Sequence, residues 1–381
     1  MKKLLFLPLM YMQSGHHQVA DALIDMIQSR TQNILFDKID LLSYTNESFS
    51  KMVSYSYLKW IHLSPKSYHL AYNHLFYEPS TQEHAFHWYP HIFMNKLEQL
   101  LKEVKPNLIF CTHGFPSHLM SKLKMEGRCD IPIINVYTDF FVNSVWAFDG
   151  IDLHFLPNQE VKDHFMDVYN VDEQKLIVTG IPVHEKITPA VDYKKKSNRL
   201  KVIVAGGNSG LGESQKLFRS LAQSRTVDFY ILCGNNHKLY KDILQLKAKH
   251  IIPLSYISSR SEMNKLYEEV DAIITKPGGV TISEALQKKL PIFVHSVLPG
   301  QEEINLEYLV DKDLVFLLDD QICVEKQLLS VLEDEYKMNR WKNAVHSYKG
   351  EMEIQNSDEL VELILTMLDM GLEIESQVDE M

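Results

Sequence analysis

Cysteine is scarce in this chain: Cys111, Cys129, Cys233 and Cys323 are widely spaced and form no Cys-x-x-Cys pair. Neither a disulfide framework nor a zinc site is indicated, and the four thiols read as reduced packing residues. Long hydrophobic runs are missing too. The apolar stretch Leu4 to Met12 is short and leads into Gln13-Ser14-Gly15-His16 in place of a small-residue cleavage site. It fits a buried first strand better than a signal peptide or a membrane span. Nor is there a basic stripe of the kind that binding a phosphate backbone demands, which argues against nucleic acid as a partner. The net charge of −11 is concentrated at one end: residues 350–381 hold ten acids and no Lys or Arg, and the remainder is nearly neutral. What is left is an ordinary globular composition, 45% hydrophobic and 23% charged over 381 residues. That is long enough for two domains, expected in the cytoplasm.

Short apolar runs alternate with helical patterns. Leu4–Met10, Asn33–Ile39, Leu108–Cys111, Ile133–Tyr137, Leu153–Leu156 and Leu176–Thr179 read as strands, with helices over about Gln18–Arg30 and Met94–Glu103. A second series follows: Lys201–Ala205, Val227–Cys233, His250–Ile252, Ala272–Ile274, Pro291–His295 and Val315–Leu318. Both are βαβ patterns and predict an α/β fold. The polar stretch 191–199 has no apolar period and reads as a linker, giving an N-terminal domain over 1–190 and a C-terminal domain over 200–350. In 351–381, Leu360, Val361, Ile364, Leu368 and Met370 share one helical side, which predicts a docked helix to about Gly371 and a fraying acidic tail.

The segment 44–95 is an insertion that the sheet pattern does not explain. It holds 13 of the 39 aromatic residues, including Tyr55, Tyr57, Trp60, Tyr68, Tyr72, Phe76, Tyr77, Trp88 and Tyr89. Such rings suit a bilayer interface or a lipid-entry groove, or equally a cover over the N-terminal core. Its three Lys and three acids offer no polybasic attraction to anionic lipid.

Chemistry concentrates at Thr275-Lys276-Pro277-Gly278-Gly279-Val280-Thr281-Ile282-Ser283-Glu284-Ala285. The pattern predicts a buried strand, a turn, and a helix whose first amides face back toward the turn. A helix start favours an anion by about 0.3–1 kcal/mol through its dipole, and Gly278 and Gly279 leave room for a diphosphate. Glu284 follows on the same helix, where a carboxylate accepts ribose hydroxyls at about 1.5–3 kcal/mol per charge-assisted bond. Pro-Gly-Gly before a helix is also an ordinary strand-to-helix turn. A second strand end, Pro291–His295, then leads into a polar loop with Gln301, Glu302 and Asn305. Adjacent strand ends of a parallel sheet are where open α/β folds bind ligands.

These segments resemble the donor site of the glycosyltransferase family that includes monogalactosyldiacylglycerol synthases, processive diacylglycerol glucosyltransferases and, more distantly, the peptidoglycan lipid II synthase. The resemblance continues in order along the chain. It takes in Ser14-Gly15-His16-His17-Gln18-Val19-Ala20, Thr138-Asp139-Phe140 with Trp146, and Thr179-Gly180-Ile181-Pro182-Val183. Beyond these come Ala205-Gly206-Gly207, Cys233-Gly234-Asn235-Asn236, the Lys-Pro-Gly-Gly run and Pro299-Gly300-Gln301-Glu302. It implies a GT-B architecture, two doubly wound Rossmann-like domains facing across a cleft.

By that resemblance Lys276, Pro277, Gly278, Gly279 and Val280 flank the diphosphate of a UDP-sugar and Glu284 takes the ribose. Gln301, Glu302 and Asn305 take the sugar or ribose, and backbone near Tyr256 and Ile257 reads the uracil. Gly206, Gly207 and Asn208 form the matching donor-side loop. Asp139 is the base for the acceptor hydroxyl; read by itself it is equally an N-cap or a salt-bridge partner of a following helix. His16 binds acceptor or diphosphate or assists proton transfer, with His17 as its adjacent competitor. Gly15, His17, Asn143 and Trp146 fall on the acceptor side. No metal or other cofactor is needed in this scheme, since a helix N-terminus and Lys276 offset the leaving-group charge.

Two departures fall in the first half. Asn143 stands where the family usually has a histidine, and the loop before His16 has one glycine where relatives carry several. The sequence predicts an inverting transferase of a hexose from a UDP-sugar to a diacylglycerol-type lipid, in the cytoplasm or peripheral on the inner face of the membrane. The alternatives are transfer to a soluble small molecule and a UDP-sugar-binding protein without transfer activity.

Overall fold

The computed structural model describes residues 1–9, 14–72, 90–190, 199–206 and 215–379. The chain divides into two compact units: Met1–Glu185 together with Glu351–Met381, and Lys186–Gly350.

Unit 1 carries strands β1 (Lys2–Leu7), β2 (Ile34–Lys38), β3 (Leu108–Cys111), β4 (Ile133–Val136), β5 (Leu153–Leu156) and β6 (Leu176–Val178). Its helices are α1 (Gly15–Gln28), α2 (Leu41–Thr45), α3 (Glu47–Leu63), α4 (Pro65–Tyr72), α5 (Pro90–Val104), α6 (Gly114–Met125) and α7 (Gln159–Tyr169). Unit 2 carries β7 (Leu200–Ala205), β8 (Val227–Leu232), β9 (Ile251–Leu254), β10 (Ala272–Thr275), β11 (Ile292–Val294) and β12 (Phe316–Leu317). Around them lie α8 (Gln215–Ala222), α9 (His237–Gln245), α10 (Arg260–Glu269), α11 (Gly279–Gln287), α12 (Gln301–Asp311), α13 (Val324–Leu332) and α14 (Glu335–Gly350). The last helix, α15 (Ser357–Asp379), belongs to unit 1.

Each unit holds one six-stranded sheet, ordered β2-β1-β3-β4-β5-β6 and β12-β11-β10-β7-β8-β9, and every pairing is parallel. Helices cover both faces of such a sheet, so its inner strands read as continuous apolar runs. Accordingly β3, β4, β5 and β10 are buried along their whole length, whereas the edge strand β2 is not. The chain reverses its direction of travel between β1 and β3 in one sheet and between β7 and β10 in the other. Those switch points are where the crevices of doubly wound sheets open.

The structure departs from the sequence reading at three boundaries. The helix predicted from Gln18 starts at Gly15, with Ser14 extended and its carbonyl accepting from Gln18 N at 3.1 Å. Gly15, His16 and His17 add no apolar period, which hid the first turn. The units divide at Glu185/Lys186, ahead of the predicted 191–199 linker, most of which lies outside the described residues. Residues 186–190 are held in unit 2: Ile187 is buried, Thr188 N donates to Asn264 Oδ1 at 3.1 Å, and Ala190 N donates to Gln287 O at 3.1 Å. Finally, the C-terminal segment docks on unit 1 and its helix runs to Asp379, past Gly371. Glu353 anchors it, accepting from Val178 N at 2.6 Å and from the buried Lys162 at 2.8 Å. Leu360, Val361, Ile364 and Leu368 are buried as their spacing predicts.

One crossover in unit 1 lacks a helix. Residues 137–152 join β4 to β5 through bends and turns, so their backbone groups need other partners. Asn158 Nδ2 donates to Phe140 O at 2.8 Å, Asn135 Nδ2 to Ala147 O at 3.0 Å, and Ser121 Oγ to Asp149 O at 2.7 Å. The segment presses so closely on α6 that a Cβ on Gly114 would lie 2.9 Å from Val145 Cγ1 and 3.1 Å from the Val145 backbone carbon. Gly114→Ala is therefore expected to destabilise the protein by about 1–2 kcal/mol, overpacking outweighing the helix-propensity gain. Urea unfolding checks this, and an unchanged or raised midpoint would show that Val145 yields freely.

Candidate functional site

In unit 2 the carboxyl end of β10 carries the predicted anion site. Thr275 closes the strand, Lys276 and Pro277 are buried, and Gly278 caps α11 in an extended conformation. Its φ of −88° is open to any residue, so dihedral strain does not demand glycine. Space does bear on it: a Cβ there would meet nothing within 4 Å, which leaves the backbone open to approach. No side chain caps α11, whereas Asn236 and Ser259 cap α9 and α10. Among the described residues the first amides of α11 are thus left without side-chain acceptors at the β7/β10 switch point, three residues after Lys276 in the chain. Lys276 is only 8% exposed, and no carboxylate pairs with it among the described residues. A buried cation without a counter-ion is costly, and a bound anion relieves that cost.

Glu284 sits on α11 and is 5% exposed. Tyr267 Oη donates to its Oε2 at 2.8 Å, and Arg260 Nη1 lies 3.6 Å from Oε1. Burial pushes the carboxyl pKa up, opposed by the Arg260 charge and the Tyr267 hydrogen bond. Val280 is half-buried and Gly279 buried in the first turn of α11. On α12, Gln301 is half-buried at the N-terminus and Asn305 is buried. Glu302 turns back on its own loop, accepting from Leu298 N at 2.6 Å, and Glu303 accepts from Gly300 N at 2.8 Å. Gly300, at φ 88°, adopts a conformation that glycine takes without strain. Tyr256 is exposed and Ile257 half-buried ahead of α10, while Gly206 is buried at the end of β7. Gly207 and Asn208 lie outside the described residues.

In unit 1 the β1/β3 switch point gathers imidazoles. His16 Nδ1 lies 2.7 Å from Thr112 O and 2.9 Å from Thr138 Oγ1. A carbonyl only accepts, so Nδ1 carries the proton and the lone pair of the neutral ring is on Nε2. Burial pushes the His16 pKa down to about 4. The ring of His113 stands edge-on to it with centroids 4.7 Å apart, and His113 Nδ1 accepts from Phe115 N at 3.0 Å, capping α6. Gly15 and His17 share the first turn of α1, where His17 Nδ1 is 3.3 Å from Ser14 Oγ. The sequence reading missed Thr112 and His113, although both directly follow the β3 run.

Asp139 follows Thr138 at the end of β4 and is half-buried. No helix begins after it, so the N-cap alternative has nothing to cap. Asn143 Oδ1 accepts from Val145 N at 3.3 Å, closing a local turn that a histidine would not close in the same way. Trp146 is buried, with its ring centroid 4.3 Å from that of Tyr137. It supports the segment from the core. Beneath them His154 Nδ1 meets Tyr137 Oη at 2.9 Å, with its pKa pushed down to about 3 by burial.

Residues 16–183 match the family model described as monogalactosyldiacylglycerol (MGDG) synthase. The chain is 36% identical over 368 residues to the uncharacterized glycosyltransferase YkoN of Bacillus subtilis (strain 168), spanning 96% of this chain and 98% of that protein. It is 29% identical over 344 residues to the processive diacylglycerol beta-glucosyltransferase of Bacillus cereus (strain B4264), spanning 88% of this chain and 87% of that one. Among solved structures the calicheamicin glycosyltransferase CalG4 superposes with a TM-score of 0.62 at 12% identity, covering 97% of this chain and 98% of its own. Such a likeness shows the fold alone, and that fold is GT-B.

Three histidines of unit 1, His16, His113 and His154, are held neutral by burial. Their folded pKa values lie below that of a free imidazole, so the stability they contribute is complete above about pH 6.5 and is lost as the pH falls toward 4. Together they are expected to lower the unfolding free energy by up to about 4 kcal/mol per pH unit in that window. Urea unfolding at pH 7.5 and 5.5 reads the slope, which His154→Gln should flatten. A stability that does not change with pH would contradict the assignment.

Proposed function

The chain belongs to the family of monogalactosyldiacylglycerol synthases and diacylglycerol glucosyltransferases, and we propose that it moves a hexose from a UDP-sugar to a hydroxyl of a diacylglycerol-type lipid, with inversion. The observation that carries this reading is the combination at the β7/β10 switch point: a buried lysine with no carboxylate partner among the described residues, an uncapped helix start and a buried carboxylate one helix turn further on. Diphosphate and ribose need those three groups in that order.

In the reaction the acceptor oxygen attacks the anomeric carbon, the bond to the diphosphate breaks, and its electron pair leaves with UDP. Asp139 takes the acceptor proton. His16, neutral and with its lone pair on Nε2, accepts a hydrogen bond from the acceptor hydroxyl and orients it. Lys276 and the first amides of α11 meet the charge that develops on the leaving diphosphate, with no metal or other cofactor.

The lipid reading draws support from α3 and α4. Met52, Tyr55, Trp60 and Leu63 share one side of α3 and are exposed, as is Leu70 on α4. Such a stripe suits peripheral contact with the inner face of the membrane, driven by apolar burial. Tyr68, by contrast, is buried, 5.5 Å from Trp60 between ring centroids. Phe76, Tyr77, Trp88 and Tyr89 lie outside the described residues. No helix among the described residues is long and apolar enough to cross a membrane.

UDP release from a panel of UDP-hexoses, with diacylglycerol vesicles present or absent, tests the proposal. Release that requires the lipid is expected. Release without lipid would move the function to a soluble acceptor, and none at all beside measurable UDP binding would make the protein a binder. Asp139→Asn is expected to lower turnover about a hundredfold or more while leaving UDP affinity intact; near-normal turnover would remove Asp139 as the base.

A further inference from the structure

A carboxylate that reads ribose hydroxyls has to be both charged and correctly turned, and Glu284 sits where burial opposes the charge. Among the described residues, α10 supplies the groups that counter this. Arg260 and Tyr267 are seven residues apart, two turns of helix, and so lie on one face of α10. Tyr267 is 1% exposed and donates to Oε2 at 2.8 Å. Its own pKa is raised well above the ordinary phenol value by burial and by the Glu284 charge, so its proton stays on Oη. Arg260 lies 3.6 Å from the other oxygen, beyond hydrogen-bond distance, and adds charge without occupying the lone pairs of Oε1. Ser259 Oγ accepts from Glu262 N at 3.3 Å and fixes the start of α10.

We propose that Arg260 and Tyr267 are positioning residues of the donor site: they orient Glu284 and balance its charge without touching the nucleotide themselves. The proposal rests on the reading that Glu284 accepts the ribose hydroxyls. Among the described residues, Arg260 and Tyr267 are the charged and titratable groups that act on Glu284, from α10. Because burial raises its pKa, affinity for a ligand that needs the carboxylate falls as the pH falls through that value. Removing either partner raises the value further and moves the loss to higher pH.

Calorimetric titration with UDP at pH 6 and pH 8 tests this on the full chain. Tyr267→Phe keeps the ring, and Arg260 is partly exposed, so both variants are expected to fold. Tyr267→Phe should bind UDP about tenfold more weakly than wild type. Arg260→Gln should show a smaller loss, and both deficits should be larger at pH 6. Glu284→Ala removes the carboxylate but keeps the titration of the diphosphate itself, and so supplies the reference pH dependence. Wild-type affinity at both pH values in Tyr267→Phe and Arg260→Gln, beside weakened binding in Glu284→Ala, would overturn the positioning roles alone. Wild-type affinity in Glu284→Ala would overturn the ribose reading and the proposal with it.

Discussion

Every strand pairing in both sheets is parallel, and that constraint decides where chemistry can occur. Parallel ladders use up the backbone donors and acceptors of the strands, and the crossovers place all carboxyl ends along one edge of each sheet. A helix that begins at that edge leaves its first amides over there. In unit 2 the start of α11 has no side-chain cap, while α9 and α10, which follow β8 and β9, are closed by Asn236 and Ser259, and Glu303 accepts from the N-cap amide of α12. The uncapped start of α11 follows β10, the strand end that carries the lysine.

The two units handle burial in opposite ways. Unit 1 surrounds its switch point with imidazoles that desolvation keeps neutral, His16 and His113, tied to backbone through Thr112 O and Phe115 N. Unit 2 buries two ionisable side chains near its switch point, Lys276 and Glu284. A neutral ring with one fixed proton suits a hydroxyl acceptor, which needs orientation more than charge. An uncapped helix start suits a diphosphate, whose charge grows as the bond to the sugar breaks.

Much of the fold was legible because a parallel sheet buried on both faces writes apolar runs that stand out from their surroundings, as at Leu108–Cys111 and Ala272–Ile274. The strand-to-helix turn from β10 into α11 was legible for a related reason: proline and glycine between an apolar run and a helical pattern mark such a turn. Partnerships across elements were not. Arg260 and Tyr267 have helical spacing like any other pair, and their meeting with Glu284 comes from the packing of α10 on α11. Asn158 caps α7 through Val161 N, and the same side chain also holds Phe140 O beside Asp139, a pairing across elements that the sequence does not show. Trp146 was assigned to the acceptor side, but its ring packs on Tyr137 in the core. Nor did composition show that an acidic C-terminal segment would return to unit 1, since the pairs of Asp358 with Arg30 and of Glu353 with Lys162 join residues far apart in the chain.

The account depends on nucleotide binding at the start of α11. Hydrogen–deuterium exchange with and without UDP tests that most directly, residue by residue. The amides of Gly279, Val280 and Thr281, which have no intrahelical acceptor, are predicted to exchange more slowly when UDP is bound. Protection elsewhere, with these three amides unchanged, would contradict it.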